Sequence, residues 1–379
     1  MFTDLSQEMV TAVLPLYLTF ELRLTPLQFG LIDGLYHGAS ALVRFVGGLI
    51  ADRRARYKEV AATGYALSAA TKAGLIVAGG AWLPVTGLLF VDRLGKGVRT
   101  APRDALISLS SEPGSLGASF GIHRALDTVG ALLGPLCAFL MLAFIPFAYD
   151  AIFIVSLCTA LIGLGILVLF VQNQATTSVP SAARREVTVR RALGLLRERA
   201  FRRIVLVGAG LGLLTVSDGF IYLVLQRRAS IDPRWFPLMF IGTAATYLVL
   251  AVPLGKLADR VGRHKVFAAG YASLLGAYLL LLADAPAPAL VVACLALHGI
   301  YYAATDGVLM ALTSSVLEGS LRTSGIGIVT TAVSLARFAS SLAFGALWLA
   351  MGERGPVLIF AAALGVSLPF FWRTLRAVS

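Results

Sequence analysis

Charged side chains recur inside the long apolar stretches of this 379-residue chain. An ionised group in a bilayer costs about 2.5–3.5 kcal/mol on insertion scales, so such groups are rare and face partners or water. Four of them follow one another at intervals of four, three and four residues, which puts them on one face of a helix. They are Asp92, Lys96, Arg99 and Arg103. A face with three bases and one acid has to meet carboxylates on other helices or an anionic substrate.

A second group combines a histidine with a carboxylate. His123 and Asp127 lie one helical turn apart, with Arg124 beside them. Because histidine titrates near neutral pH, this pair suits a proton relay. The alternative is structural, with Asp127 or Asp33 neutralising the bases of the preceding group. The residues alone leave both interpretations open.

Isolated carboxylates form a third group, and none has a base close by on its own helix. They are Glu8, Asp33, Asp218 and Asp306. Burial disfavours the charged form of a carboxylate, so we predict that these acids couple protons or contact the substrate. Asp306 follows Tyr302, and His298 lies two turns earlier on much the same face. Glu8 has an alternative role as a helix cap at the cytoplasmic interface.

The motifs of metal sites and hydrolytic enzymes are missing from the sequence. His37, His123 and His298 lie in different apolar segments without a cysteine or methionine cluster, and a transition-metal site needs three or four converging ligands. No glycine-rich phosphate loop and no nucleophile elbow occurs. We therefore predict no enzyme activity, no bound metal and no cofactor.

The amino-acid composition indicates the class of protein to which these charged residues belong. Hydrophobic residues make up 58% of the chain and charged residues 14%, whereas soluble proteins have roughly 45–50% and about 25%. This composition excludes an ordinary soluble enzyme, a disordered chain and a nucleic-acid-binding domain. The three cysteines lie in apolar segments and are interpreted as small core residues. The chain is predicted to be an all-α integral membrane protein.

Apolar stretches long enough to span a bilayer occur twelve times. The predicted spans are roughly 3–22, 29–51, 59–80, 83–109, 116–143, 148–171, 203–226, 235–257, 265–283, 288–316, 323–349 and 354–373. This pattern predicts an N-terminal six-helix bundle over 1–171, a basic cytoplasmic linker over 172–202 and a C-terminal six-helix bundle over 203–379. The linker is either a surface amphipathic helix or a solvated basic segment.

Lysines and arginines are distributed unevenly among the segments that flank these spans. The loops after spans 2, 6, 8 and 10, together with the C-terminal tail, hold nineteen of them, and the remaining loops hold five. Cytoplasmic segments carry an excess of positive charge, which also explains the net charge of +12. We therefore expect both termini on the cytoplasmic side of an inner membrane.

One short pattern occurs twice, 207 residues apart, after spans 2 and 8. The first copy contains Gly48, Asp52 and Arg53, and the second contains Gly255, Asp259, Arg260, Gly262 and Arg263. Repetition at matching positions indicates a duplicated six-helix unit. The pattern resembles the first signature of the major facilitator superfamily, although Ala55 and Tyr57 depart from it in the first copy. The resemblance implies two pseudo-symmetric bundles and a gating role for this motif, for which a simple loop clamp is the alternative.

Two further motifs extend the resemblance to this superfamily. Arg93 begins an Arg-x-x-x-Gly pattern in span 4, and the resemblance implies that it takes part in proton coupling. Span 5 contains the glycine pattern of exporters that work as antiporters, but Ala138 replaces a later glycine. Its members are Gly121, Gly130, Gly134 and Pro135. Close helix packing is the alternative explanation for the three glycines.

Together these observations predict a secondary active transporter. It is expected to move a small anionic or amphiphilic organic solute by alternating access, most simply as proton-coupled export. The alternatives are uptake of a metabolite or metal chelate, and a receptor or lipid-handling protein on the same scaffold. The predicted partners are the solute, protons and membrane lipids, and the predicted state is a monomer.

Overall fold

The computed structural model describes residues 1–36, 38, 57–111, 116–172, 194–284, 286–317 and 322–376. Every regular element in these ranges is helical, which confirms the predicted all-α class. The helices are α1 Phe2–Leu16, α2 over 26–36, α3 Tyr57–Val77, α4 Trp82–Ser110, α5 Leu116–Phe144, α6 Tyr149–Phe170, α7 Arg199–Leu213, α8 Asp218–Arg228, α9 Pro237–Val261, α10 Arg263–Leu282, α11 Ala287–Ser315, α12 Arg322–Met351 and α13 Arg354–Arg376.

Helices of this length and composition suit a bilayer. In the described part of the chain, nine helical segments are long and apolar enough to cross a membrane. Many large apolar side chains point outward, among them Leu169, Phe170 and Val366. A helix satisfies its backbone hydrogen bonds internally, so its outer face can carry apolar side chains into lipid.

The described residues form two compact units, which we call the first and the second unit. The first lies within Met1–Leu24, Leu35–Ser181 and Pro233–Leu238. The second lies within Thr25–Gly34, Ala182–Asp232 and Met239–Ser379. The linker predicted over 172–202 lies largely outside the described residues. Its described end contains a short 3-10 turn at Leu195–Arg197, just before α7.

The two units repeat one pattern of helix pairs. In the first unit α1 packs on α5, and α3 packs on both α4 and α6. In the second unit α7 packs on α12, and α10 packs on both α11 and α13. These are corresponding spans of the two halves, so the packing agrees with the duplication indicated by the repeated motif.

The span predicted over 203–226 differs from expectation, because it consists of two helices. α7 ends at Leu213 and α8 begins at Asp218, with a non-helical stretch between them. Thr215 and Val216 in this stretch are β-branched, and such side chains crowd the preceding helical turn. Ser217 then caps α8, because its side-chain oxygen accepts from the backbone N–H of Phe220 at 3.5 Å.

Candidate functional site

The break between α7 and α8 is stabilised by side chains from two neighbouring helices. The Tyr278 hydroxyl of α10 accepts from the backbone N–H of Val216 at 2.7 Å and donates to the Leu214 carbonyl at 3.1 Å. The Ser340 hydroxyl of α12 donates to the Thr215 carbonyl at 2.7 Å. Irregular backbone at membrane depth is tolerated only where protein or water satisfies it. These contacts therefore make the break a fixed element of the fold.

Asp218, the first residue of α8, lies directly after the break. Its Oδ1 accepts hydrogen bonds from the Tyr302 hydroxyl at 2.6 Å and from Nε2 of His298 at 2.9 Å. The helix N-terminus adds a partial positive charge that favours a carboxylate at this position. The Asp218 side chain is 26% exposed, whereas that of His298 is fully buried. The cluster therefore joins a water-accessible acid to a buried imidazole.

Three tyrosine rings surround the His298 imidazole. Tyr301 stacks on it with the ring centres 5.8 Å apart, and Tyr222 and Tyr302 approach edge-on at 6.0 and 5.1 Å. The Nδ1 atom of His298 is buried and has no hydrogen-bond partner among the described residues. Nε2 is therefore the nitrogen that holds the ring in place.

Two further charged residues lie near this cluster in the second unit. Arg337 of α12 donates from Nη2 to the Tyr301 hydroxyl at 2.8 Å. Asp306 of α11 is exposed and lies within electrostatic range of Arg337, Asp218 and His298. An ionised carboxylate along a membrane-spanning helix has to face water or a polar ligand rather than lipid.

Asp33, another of the predicted coupling acids, belongs to the second unit. It is buried in α2, and its Oδ2 accepts from the Ser341 hydroxyl of α12 at 2.6 Å. Its Oδ1 lies near the start of α8, because a Cβ added to Gly219 would come within 3.3 Å of it. Asp33 thus lies beside α8 and α12 within the second unit.

The first unit contains a buried ion cluster centred on Asp92. Its Oδ1 lies 3.2 Å from the Lys72 ammonium of α3, and its Oδ2 lies 3.3 Å from the Arg93 guanidinium. The Ser68 hydroxyl also donates to Oδ1, and Arg93 donates to the Tyr36 hydroxyl. Both cations next to Asp92 are buried side chains of the first unit.

The other bases of the predicted α4 face have different partners. Arg99 is buried, donates to Oε1 of Gln7 at 2.9 Å and lies over the Tyr65 ring. Lys96 is partly exposed and within electrostatic range of Glu8, which is itself partly exposed. The face predicted from spacing thus divides into buried and partly exposed positions.

His123 and Asp127 form the contact that their spacing predicts. Nε2 of His123 lies 3.1 Å from Oδ2 of Asp127. Arg103 approaches the same oxygen at 3.7 Å and also pairs with Asp104 at 3.0 Å. Asp127 therefore takes part in both arrangements considered above, as partner of a histidine and as counter-charge of an α4 base.

The glycines of α5 allow α1 to approach closely. A Cβ on Gly134 would lie 2.8 Å from the Cβ of Glu8 and 2.9 Å from the Leu5 carbonyl oxygen. Gly130 likewise faces α1, whereas a Cβ on Gly121 would meet nothing within 4 Å in the part of the chain that the structure describes. Pro135 follows inside the helix. Packing thus explains part of the span 5 motif.

The second copy of the repeated motif forms the turn between α9 and α10. Gly262 alone separates the two helices and has φ of 106°, a conformation that side chains other than glycine rarely adopt. Arg263 pairs with Asp259 at 3.0 Å and donates to the Ala311 carbonyl of α11 at 3.2 Å. Gly255 and Arg260 lie on the last turns of α9. The first copy, with Gly48, Asp52 and Arg53, lies outside the described residues.

Comparisons with known proteins decide the family. The sequence profile of the Major Facilitator Superfamily matches residues 1–233 and 221–378. An uncharacterised MFS-type transporter of Methanocaldococcus jannaschii is 30% identical over 355 residues, which cover 91% of this chain and 85% of that protein. This chain belongs to the Major Facilitator Superfamily.

Solved structures of this superfamily share the fold. The nucleoside transporter NupG superposes with a TM-score of 0.79 at 14% identity, covering 98% of this chain and 96% of NupG. A D-xylose–proton symporter gives a TM-score of 0.73 at 14% identity, covering 99% of this chain and 94% of the symporter. Identities this low establish the architecture and not the substrate. The chain is therefore a multi-pass membrane protein with the fold of membrane transporters.

The fold of this chain brings together several of the residues singled out in the sequence. Their roles in binding and coupling stay predictions. Asp218 meets Tyr302, and His123 meets Asp127. The partners that sequence reasoning did not assign come from distant helices. They are Ser68 and Lys72 on Asp92, Gln7 and Tyr65 on Arg99, His298 on Asp218, and Tyr278 at the helix break. Only the break had a local signal, because Ser217-Asp218 is a typical start of a helix.

Proposed function

We propose that this chain is a secondary active transporter that moves a small polar organic solute across the cytoplasmic membrane by alternating access, driven by protons. The observation that carries the proposal is the Asp218 cluster at the break between α7 and α8. This carboxylate is partly exposed and accepts hydrogen bonds from a phenol and an imidazole, so it can exchange a proton with water. Discontinuous membrane helices are where transporters of several folds bind substrates and coupling ions.

The choice of solute follows from the charges that stay exposed. Most bases of the α4 face are engaged within the first unit, which weakens the argument for an anionic solute. Partly exposed Lys96 and Glu8 and exposed Asp306 are of mixed sign. Such a set favours a solute with both hydrogen-bond donors and acceptors over a simple anion.

Export is the proposed direction, because the span 5 pattern resembles that of antiporters. The similarity to a structure described as a D-xylose–proton symporter favours the second candidate, proton-driven uptake. Both candidates share the coupling ion and the direction in which it moves, and they differ in the side from which the solute enters. We further propose that the protein acts as a monomer, with both termini in the cytoplasm.

Reconstituted vesicles test the proposal. Purified protein is first screened by thermal unfolding against nucleosides, pentoses, siderophores and amphiphilic drugs, and each stabilising solute is then tested in proteoliposomes. An imposed pH gradient should move at least one radiolabelled solute, and a pH-sensitive dye should report proton movement in the opposite direction for export and the same direction for uptake. A protonophore should abolish the accumulation.

The control variant is Asp150→Asn, which alters an exposed acid in the first turn of α6 outside the clusters described above. It should transport at the wild-type rate, whereas Asp218→Asn should lose accumulation. Binding of a solute without its movement would replace the transporter by a receptor. Movement that ignores the pH gradient would refute proton coupling.

A further inference from the structure

We propose that the second unit binds the phosphate group of an anionic phospholipid where α10 begins and α13 ends. We call this region the basic end, and its members are Arg263, His264, Lys265, Arg373 and Arg376. The inference goes beyond the proposed function, because it depends neither on transport nor on the Asp218 cluster.

Helix packing gathers these bases from two distant parts of the chain. α10, which begins at Arg263, packs on α13, which ends at Arg376. His264 lies within electrostatic range of both Lys265 and Arg376, so the start of one helix lies beside the end of the other. Like charges that are held together repel one another, and an anion bound between them offsets this repulsion.

The protein itself supplies few carboxylates at the basic end. α10 and α13 contain no aspartate and no glutamate. Asp259, on the last turn of α9, pairs with Arg263 at 3.0 Å. Among the described residues, no carboxylate pairs with Lys265, Arg373 or Arg376. The basic end therefore has an excess of positive charge that is available to an anion from outside the protein.

An apolar surface that faces outward adjoins the basic end. Val366, Phe370 and Arg373 follow one another at intervals of four and three residues, which places them on one face of α13. Val366 and Phe370 are 80% and 66% exposed, and Arg373 is exposed as well. An apolar stripe that ends in a basic group matches a molecule with a hydrocarbon chain and an anionic head.

Trp372 and Arg376 indicate that the basic end lies at the level of the lipid head groups. The Arg376 guanidinium lies over the Trp372 ring at 5.8 Å. Tryptophan is enriched at the boundary between hydrocarbon and water, and arginines near helix ends extend toward the head groups. The phosphate of a membrane lipid lies at this same depth, so it needs no separate route to the arginines.

The sign of the charge selects the class of lipid. Guanidinium groups bind phosphate oxygens through paired hydrogen bonds, and clusters of bases beside membrane helices bind anionic head groups. The ammonium of a zwitterionic head group would be repelled by the same bases. We therefore expect phosphatidylglycerol to bind more tightly than phosphatidylcholine. A soluble phosphate lacks the hydrocarbon chain that would contact Val366 and Phe370, so it should bind more weakly than either arginine-bound lipid phosphate.

Native mass spectrometry of the full chain, stripped of lipid in detergent, tests the site with phosphatidylglycerol as the probe. Replacing both Arg373→Gln and Arg376→Gln should weaken its binding by about 30-fold, since each base near an anionic surface contributes roughly fivefold. The matched control is Arg227→Gln with Arg354→Gln, which removes two exposed bases that already pair with carboxylates. This control should bind the lipid as the wild type does.

Three results would overturn the proposal. Equal weakening in the two double variants would show a general effect of net charge. Equal affinity of the wild type for phosphatidylcholine would remove the selection by charge. Displacement of the bound lipid by an excess of glycerol 1-phosphate would mean that the basic end takes a free phosphate and not a lipid.

A fluorescence measurement covers the case in which the arginine variant fails to fold. In vesicles, phosphatidylglycerol with brominated acyl chains should quench the tryptophan fluorescence of the wild type more strongly than brominated phosphatidylcholine at the same fraction. This difference should be lost in Trp372→Phe. Equal quenching by the two lipids, or a difference that persists in Trp372→Phe, would contradict the proposal. No solute is needed, so the outcome is independent of whether the protein transports one.

Discussion

Two carboxylates on the membrane helices, Asp92 in the first unit and Asp218 in the second, differ in the partners that hold them. Asp92 contacts the ammonium of Lys72 and the guanidinium of Arg93, and its side chain is 9% exposed. Asp218 contacts a phenol and an imidazole, and its side chain is 26% exposed. Protonating Asp92 would leave two buried cations without a counter-charge, whereas neither the phenol nor the imidazole on Asp218 carries a permanent charge.

These two sites show that a charged residue in a membrane helix can be assigned a function only when the residues that contact it are known. Breaking a buried ion pair is costly, so a carboxylate between cations acts as a structural element. A carboxylate between neutral donors can change its charge while the fold stays intact. In the sequence both are acids within apolar segments, and only Asp92 has bases close by on its own helix.

The largest expected effect is that of Asp92→Asn, compared with Asp218→Asn. Removing the carboxylate from Asp92 leaves Lys72 and Arg93 buried and uncompensated, at a cost of about 3–5 kcal/mol. Asp218→Asn keeps an acceptor for two neutral donors and should cost less than about 1.5 kcal/mol. Thermal unfolding in detergent and the yield of folded protein measure both.

A double variant checks the reason for this difference. Lys72→Met removes one of the two cations beside Asp92 and should recover part of the stability lost in Asp92→Asn. Equal losses in Asp92→Asn and Asp218→Asn, with no recovery in the double variant, would remove the distinction between the two sites.

The next effect concerns the break that only the second unit shows among the described helices. Tyr278→Phe leaves the Val216 N–H and the Leu214 carbonyl without their partner, and each unsatisfied buried group costs about 1–3 kcal/mol. Thermal unfolding should show this loss. Ser367→Ala is a suitable control, because that hydroxyl bonds only to the Ala363 carbonyl of its own helix in the structure. A Tyr278→Phe protein as stable as this control would show that the break needs no support.

Gly134→Ala tests the close packing of α1 on α5 in the first unit. The added methyl group would lie 2.8 Å from the Cβ of Glu8, so α1 and α5 must move apart at a cost of about 1–3 kcal/mol. Gly121→Ala is the matched control from the same motif, because its added methyl group would meet none of the described atoms within 4 Å. It should be neutral or slightly stabilising, since alanine favours helices. Transport and unfolding should therefore separate the two variants.

The smallest effect is expected at the turn between α9 and α10. Arg263→Ala removes a partly exposed pair with Asp259, and exposed pairs contribute about 0.2–1 kcal/mol. The unfolding temperature should hardly change. A large decrease in the unfolding temperature would mean that the hydrogen bond from Arg263 to the Ala311 carbonyl contributes more stability than expected for a partly exposed side chain.

The sequence predicts what depends on local periodicity. Apolar runs of sufficient length predict the membrane helices, and the four-residue spacing of His123 and Asp127 predicts their contact. Asp218 and Tyr302 stand out because polar groups are costly at membrane depth. Each of these inferences depends only on the spacing and composition of residues within a single helix.

The sequence does not predict which helices meet. Lys72 and Asp92 are brought together by the packing of α3 on α4, and His298 and Asp218 by that of α11 near α8. The sequence places three bases on one face of α4, where they could bind an anion. It does not show which partners these bases have on other helices. In the break at 214–217 the sequence indicates only the start of α8 at Ser217-Asp218, whereas the partners of its backbone groups, Tyr278 and Ser340, lie far away in the sequence.

The most direct test of the central claim follows both carboxylates in one sample. Solid-state NMR of protein labelled with 13C-aspartate in lipid vesicles reports the charge of Asp92 and Asp218 from their side-chain carbonyl shifts across a pH series. The account predicts that the Asp218 signal moves with pH while the Asp92 signal stays constant. A constant Asp218 signal together with a titrating Asp92 signal would contradict it.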